Sequence, residues 1–168
     1  LLSCRGLVFD HEWKLVARPL PKFFNYEEHV GDAVAGPLPS GEFTVTEKYD
    51  GSLGIVFCYA DQIVVSTRGS FHSEQAERAA KMIEAWPAIA KNCVDDRYTH
   101  LFEVLYPENR IVVDYGKEER MQYLTTILTA TGEEVDFATV FGGIDRIPAR
   151  SPEELKQQQR DNAEGYVL

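Results

Sequence analysis

The chain has 168 residues, 44% hydrophobic and 26% charged, with 12 Gly and 8 Pro, a make-up that excludes a disordered tail, a collagen-like repeat and a coiled coil. At this length about two-thirds of the unfolded surface is buried on folding, so a single core forms without disulfides or a structural metal. Seventeen Lys and Arg against 27 Asp and Glu give a net charge of −10, which argues against a long phosphate-binding track on these residues.

The acidity is uneven: residues 1–72 carry 6 basic and 9 acidic side chains, residues 73–168 carry 11 and 18. Cys4, Cys58 and Cys93 are an odd number at wide spacing, and Cys4 and Cys58 lie in apolar strand-like runs. They read as reduced core residues of a cytosolic, hence cytoplasmic, protein rather than a disulfide or zinc framework. No run approaches the ~20 apolar residues of a membrane span, and no leader pattern opens the sequence, so no membrane partner is expected. The sequence starts at Leu1 in a strand approach and stops at Leu168 within an apolar run, which suggests one domain, residues 1–168, cut from a longer protein at both ends.

In chain order, CRGLVFD and WKLVARP predict a hairpin over residues 4–18. Pro19, Pro21, Pro37 and Pro39 then break up a long connection that holds KFFNYEE. Alternation from Phe43 to Tyr49 predicts a strand, Asp50-Gly51 a turn, and SLGIVFCYA its partner; a second turn at Ala60-Asp61 leads into QIVVSTR, for a three-strand antiparallel meander. Ser73 is placed to cap a helix to about Lys91, with Ala76, Ala79, Ala80 and Ile83 on one face. Strands follow at 99–106, 110–115 and 121–130, and Ser151-Pro152-Glu153-Glu154 opens a helix to about Asn162 that feeds the strand start EGYVL. The fold class is α+β with antiparallel sheets.

The segment EKYDGSLG, residues 47–54, read alone, is an Asp-Gly turn with an exposed lysine. Its neighbours change that reading. CRGLVFD (4–10), ARPLPKFFNYEE (17–28), TEKYDGSL (46–53), STRGSF (66–71), LFEVLYPENRIVVDYG (101–116) and EGYVL (164–168) stand in a fixed order over nearly the whole chain. Together they resemble the RNA ligase 1 family of T-even bacteriophages, within the covalent nucleotidyltransferase superfamily of ligases and capping enzymes. KxDG is shared across that superfamily; the ARPxxKFFN and PxNRIV blocks point to the phage-type RNA ligases.

The resemblance implies an ATP-dependent RNA ligase core, with two antiparallel sheets, flanking helices and ATP between the sheets. Lys48 is then the nucleophile that forms a lysine–AMP intermediate. AMP passes to an RNA 5′-phosphate, and a 3′-hydroxyl seals the strand with release of AMP. An amine attacks only when unprotonated, and a free lysine, pKa about 10.4, is mostly charged at neutral pH. Arg5, Lys22, Arg68 and a bound metal ion are expected to supply a field that favours the free amine.

By the same resemblance Arg5 and Lys22 contact ATP with Phe24 beside them, although Phe23 or Phe24 reads equally well as core. Glu47, Asp50 and Gly51 shape the nucleotide site around Lys48, and Arg68 meets the phosphates or the RNA 5′-phosphate. Glu103 binds the ribose, a simple salt bridge to Arg110 being the alternative. Glu164 holds the divalent metal, magnesium, or the triphosphate, and Val167 with Tyr166 packs near the base or in a core strand.

His11, His29, His72 and His100 lack metal-ligand spacing and receive no role. The family's Lys-x-Lys pair would fall beyond Leu168, so these residues are expected to adenylylate more slowly than the whole protein. The remaining readings are a DNA ligase or GTP-dependent capping enzyme of the same superfamily, and a non-catalytic nucleotide- or RNA-binding module.

Overall fold

The computed structural model describes residues 2–29, 34–38, 41–149, 151–158 and 160–168. Short strands β1 (Val8–Phe9) and β2 (Leu15–Ala17) form the expected antiparallel hairpin. β3 (Thr46–Glu47) is followed by β4 (Ser52–Tyr59) and β5 (Gln62–Ser66), then helices α1 (Glu74–Glu84) and α2 (Pro87–Asn92). β6 (Tyr98–Leu105), β7 (Arg120–Leu128) and β8 (Glu134–Val135) precede α3 (Ala138–Phe141), α4 (Pro152–Gln157) and β9 (Tyr166–Val167). The strands make one five-stranded antiparallel sheet, order β5-β4-β6-β7-β8, and two two-stranded ladders, β1-β2 and β3-β9.

Alternation along the central strands sends side chains to two cores. On one face Val56, Phe102, Val104, Met121 and Tyr123 pack under Ala79 and Ile83 of α1, Ile89 of α2, Cys93 and Phe141. On the other, Ile55, Phe57, Leu101 and Ile127 meet Ala17, Val8, Val16 and Leu20 from the hairpin and the segment after it. Helices cover one side of the sheet and the β1–β2 hairpin part of the other. Glu103 shares the hairpin face with Leu101 and stands opposite Leu53 in register.

Several expectations change. The Ala60-Asp61 turn holds, with φ of +49° and +59°, the left-handed pair that a tight hairpin uses. The meander does not: β3 pairs with β9 and not with β4, and Phe43 is exposed outside any strand. The reason lies in Asp50, whose buried carboxylate captures the backbone N–H groups of Val112 and Val113. That contact turns the chain out of the hairpin path, and it keeps residues 110–115 from forming the expected strand.

The helix expected to Lys91 is divided at Trp86-Pro87, where a proline biases the residue before it away from the helical region. Its start is as expected, with the Ser73 hydroxyl accepting from Ala76 N at 3.2 Å. α4 is capped by Ser151 as expected but ends at Gln157. Cys58 and Cys93 are buried free thiols, whereas Cys4 is exposed, because the first run begins in a 3-10 turn over Leu2–Cys4 and becomes strand only at Val8. Pro39 of the proline-rich connection lies outside the described residues. Among those described, no helix is long and apolar enough to cross a membrane.

Candidate active site

Lys48 leaves β3 where that strand meets β9. Its N–H donates to Gly165 O at 2.9 Å, which extends the ladder that pairs Thr46 with Val167 and Glu47 with Tyr166. The Lys48 amine forms an ion pair with the Glu164 carboxylate. The Lys48 amine is thus paired with an acid, whereas the field expected around it was that of Arg5, Lys22, Arg68 and a bound metal ion.

The turn after Lys48 is built from side-chain bonds. Asp50, 4% exposed, accepts from Val112 N at 2.5 Å and Val113 N at 2.6 Å, while its own N–H donates to the Tyr115 hydroxyl at 3.0 Å. Gly51 N–H donates to Glu103 Oε1 at 3.0 Å. A side chain at residue 51 would place its Cβ 2.5 Å from Val104 O and 2.7 Å from Leu105 Cδ2, so glycine is required here for space against β6, not for a positive φ. Asn109 Nδ2 donates to Val104 O and Ser52 Oγ, both at 3.1 Å, and fixes the start of β4 to the end of β6.

Glu103 is the acid with the most unusual setting. Burial pushes its carboxyl up to about 7, with the neighbouring Glu164 and Asp50 adding to the rise and the Gly51 N–H and Lys48 opposing it. The alternative of a Glu103–Arg110 salt bridge does not hold, because Arg110 pairs with Asp114 at 2.7 Å. Lys48, Asp50, Gly51, Glu103 and Glu164 thus gather at one place, contributed by β6 and by the segments beside β3, β4 and β9.

The cationic candidates sit in two further groups. A Cβ at Gly6 would lie 3.1 Å from Ile55 Cδ1 and from Pro19 Cγ and 3.5 Å from the Arg68 Cα, so the Arg5-Gly6 segment rests on the hairpin-side face beside Arg68. Lys22 lies over the Phe24 ring, 4.2 Å from its centre, and Phe24 meets His29 edge-on. Neither Phe23, 61% exposed, nor half-buried Phe24 belongs to the core. This segment is moored to α4: Tyr26 donates to Glu153 at 2.6 Å, and Lys156 lies over the Tyr26 ring and pairs with Glu27.

Among the described residues, no group of three or more His, Cys, Asp or Glu side chains is arranged to hold a metal ion. His100 is buried among Phe137 and Phe141, bonds Thr126 at 2.8 Å, and is pushed by burial down to about 4, as befits a neutral core residue. Tyr115, Asn109 and Asn162 are the polar contributors that the motif reading did not single out. The first two stand inside the quoted block LFEVLYPENRIVVDYG; Asn162 has only the Glu-Gly that soon follows it as a signal.

Comparison with known proteins decides the family. A family model described as RNA ligase matches residues 3–144. The chain belongs to the RNA ligase family. A protein named as a bifunctional polynucleotide kinase/RNA ligase, from Autographa californica nuclear polyhedrosis virus, is 30% identical over 79% of this chain and 22% of its own length. One named as an RNA ligase from Thermovibrio ammonificans is 25% identical over 97% of this chain and 46% of its own.

Among solved structures, a Naegleria gruberi RNA ligase variant with ATP and manganese shares the fold at TM-score 0.51 and 14% identity, over 74% of this chain and 44% of that one. A variant of the same enzyme with AMP and manganese gives 0.53 at 13% identity. The chain spans less than half the length of these relatives.

Proposed function

We propose that residues 1–168 form the nucleotidyltransferase core of an ATP-dependent RNA ligase, with Lys48 as its nucleophile. The observation that carries this reading is the Lys48 amine, held against Glu164 beside the Glu103-bound KYDG turn, in a chain of the RNA ligase family. The five-stranded sheet and the β3–β9 ladder serve as the two walls of the nucleotide site.

In the first step Lys48 gives up a proton, its nitrogen attacks the α-phosphorus of ATP, and the bond to pyrophosphate breaks as the N–P bond forms. An RNA 5′-phosphate oxygen then displaces Lys48 from the AMP phosphorus. The 3′-hydroxyl of a second end attacks the activated 5′-phosphorus, and AMP leaves. Arg5 and Arg68 neutralise phosphate oxygens during transfer, a role supported by the Arg5-Gly6 backbone running beside the Arg68 backbone. Lys22 and Phe24 bind ATP as a pair, Glu103 accepts from the ribose, Glu47 supports the site from β3, and Val167 borders the base.

Glu164 is the metal-side acid. One carboxylate plus substrate phosphates is how magnesium is commonly held, so a site without a protein cage fits that ion. Glu164 would hold magnesium, which would supply positive charge at the phosphates and so favour pyrophosphate departure. The buried free thiols Cys58 and Cys93 suit a reducing, cytoplasmic setting.

The test is covalent mass. The full-length protein incubated with ATP and magnesium should gain one adenylate, located on Lys48 by peptide mapping, and Lys48→Ala should gain none. Equal gain by the variant, or label taken from GTP and not from ATP, would overturn the reading. RNA with 5′-phosphate and 3′-hydroxyl ends should then be sealed, with duplex DNA nicks as the comparison.

A further inference from the structure

We propose that residues 110–116 act as a strap that sets Lys48 against Glu164, and that Asn162 is the positioning residue that fastens it; the role rests on the ligase reading above. The strap is tied on one side to the nucleophile turn. Val112 N and Val113 N donate to Asp50, and the Tyr115 hydroxyl accepts from Asp50 N. On the other side it is tied to the approach to β9: Asp114 N donates to Asn162 Oδ1 at 2.6 Å, and Asn162 Nδ2 donates to Asp114 O at 3.0 Å.

One carboxamide thus satisfies both backbone groups of a strap residue, as a neighbouring strand would. Asn162 presents its amide from a φ of +56°, a left-handed conformation that asparagine tolerates better than most residues. Two residues later the chain delivers Glu164 to the Lys48 amine, and Gly165 O to the Lys48 N–H.

The connections close a ring: Lys48, Asp50, the strap, Asn162, Glu164 and back to Lys48. A second tie is needed because β3 and β9 pair over only Thr46–Glu47 and Tyr166–Val167, and a ladder this short is marginal in water. β3 has a bridge on its other edge, Thr46 to Arg146 with Ile147 N donating to Val45 O at 2.8 Å, but that contact does not reach Glu164. Packing holds the strap chiefly at Val113, 6% exposed. Ile111 and Val112 are 71% and 55% exposed, and a cavity of about 170 Å³ opens along Tyr106, Arg110, Val113 and Tyr115. At exposed Asp114 the strap is held by the Asn162 ties rather than by burial, and the Asn162 amide, exposed to solvent, can be removed without leaving a buried group unpaired.

Asn162→Gly removes the amide and keeps the backbone conformation; Asn162→Ala serves as a second variant. Each full-length protein is treated with trace acetic anhydride, and the labelling of Lys48 relative to exposed Lys14 and Lys91 is read by mass spectrometry, alongside the melting temperature. Loosened pairing should raise the Lys48 ratio about threefold or more with melting unchanged. Formation of the Lys48 adenylate should slow about tenfold to hundredfold, with the KM for ATP held, as a misplaced nucleophile predicts.

An unchanged Lys48 ratio in both variants overturns the strap role. So does a parallel rise at all lysines with lower melting, which marks a merely structural asparagine. A wild-type protein that takes no adenylate would sink the ligase reading, while the labelling ratio would still decide whether Asn162 holds Lys48 against Glu164.

Discussion

Replacing Glu103 by glutamine tests the electrostatics of the site most directly. The buried carboxyl titrates near 7 in the folded chain against an ordinary value of 4.5, so the folded state holds its proton where the unfolded state has released it. A raised acid favours folding below the unfolded value, and that contribution is lost as pH rises through the folded one. At about 1.36 kcal/mol per pH unit the whole displacement amounts to roughly 3 kcal/mol, of which about three quarters falls between pH 5 and pH 8.

Glutamine keeps an oxygen for the Gly51 N–H and has no charge to bury. Glu103→Gln should therefore gain stability relative to wild type by about 2–3 kcal/mol more at pH 8 than at pH 5. Urea unfolding of both proteins at the two pH values measures this, and other titrating groups cancel in the double difference. A stability difference that is the same at pH 5 and pH 8 would refute the claim that burial governs Glu103.

Gly51→Ala should lower stability by about 1–3 kcal/mol in the same denaturation assay and abolish adenylate formation, because the new methyl group displaces either the Val104 carbonyl or the turn that carries Lys48. Among the thiols, Cys4 should react at once with a maleimide while Cys58 and Cys93 remain unlabelled until the chain is unfolded, since both are buried and burial pushes the Cys93 thiol up to about 12. Rapid labelling of Cys93 in the native protein would contradict its place under the helices.

The hairpins and the two long central strands were legible because their signals are local: continuous apolar runs in SLGIVFCYA and LFEVL, and the Ala60-Asp61 turn between β4 and β5. The caps at Ser73 and Ser151 were legible for the same reason. What failed depended on partners far along the chain. Asp50-Gly51 has the composition of a hairpin turn, yet the backbone of Val112 and Val113 claims the carboxylate, and no local pattern announces that.

The division of the helix at Pro87 was written in the sequence and outweighs the alanine spacing before it. In the site, the motif blocks picked out Lys48, Gly51, Glu103 and Glu164 as a group, and the fold gathers them. Composition alone could not have told which acid pairs with the lysine, because Glu47, Glu103 and Glu164 differ only in where the strands deliver them.

The pairing of β3 with β9 also has a consequence for how the protein is made. The β4–β5 hairpin and the helices after it form from neighbouring stretches of chain, whereas the Lys48 region finds its partners only at Glu164, Gly165 and Tyr166. Contacts between distant parts of a chain form late, after the local ones have lowered the entropy of closure. On the ribosome, a growing chain will display a folded sheet while Lys48 still waits for its acid, so the amine is seated only when synthesis has passed residue 166. Chains interrupted before that point should fold in part and leave ATP untouched.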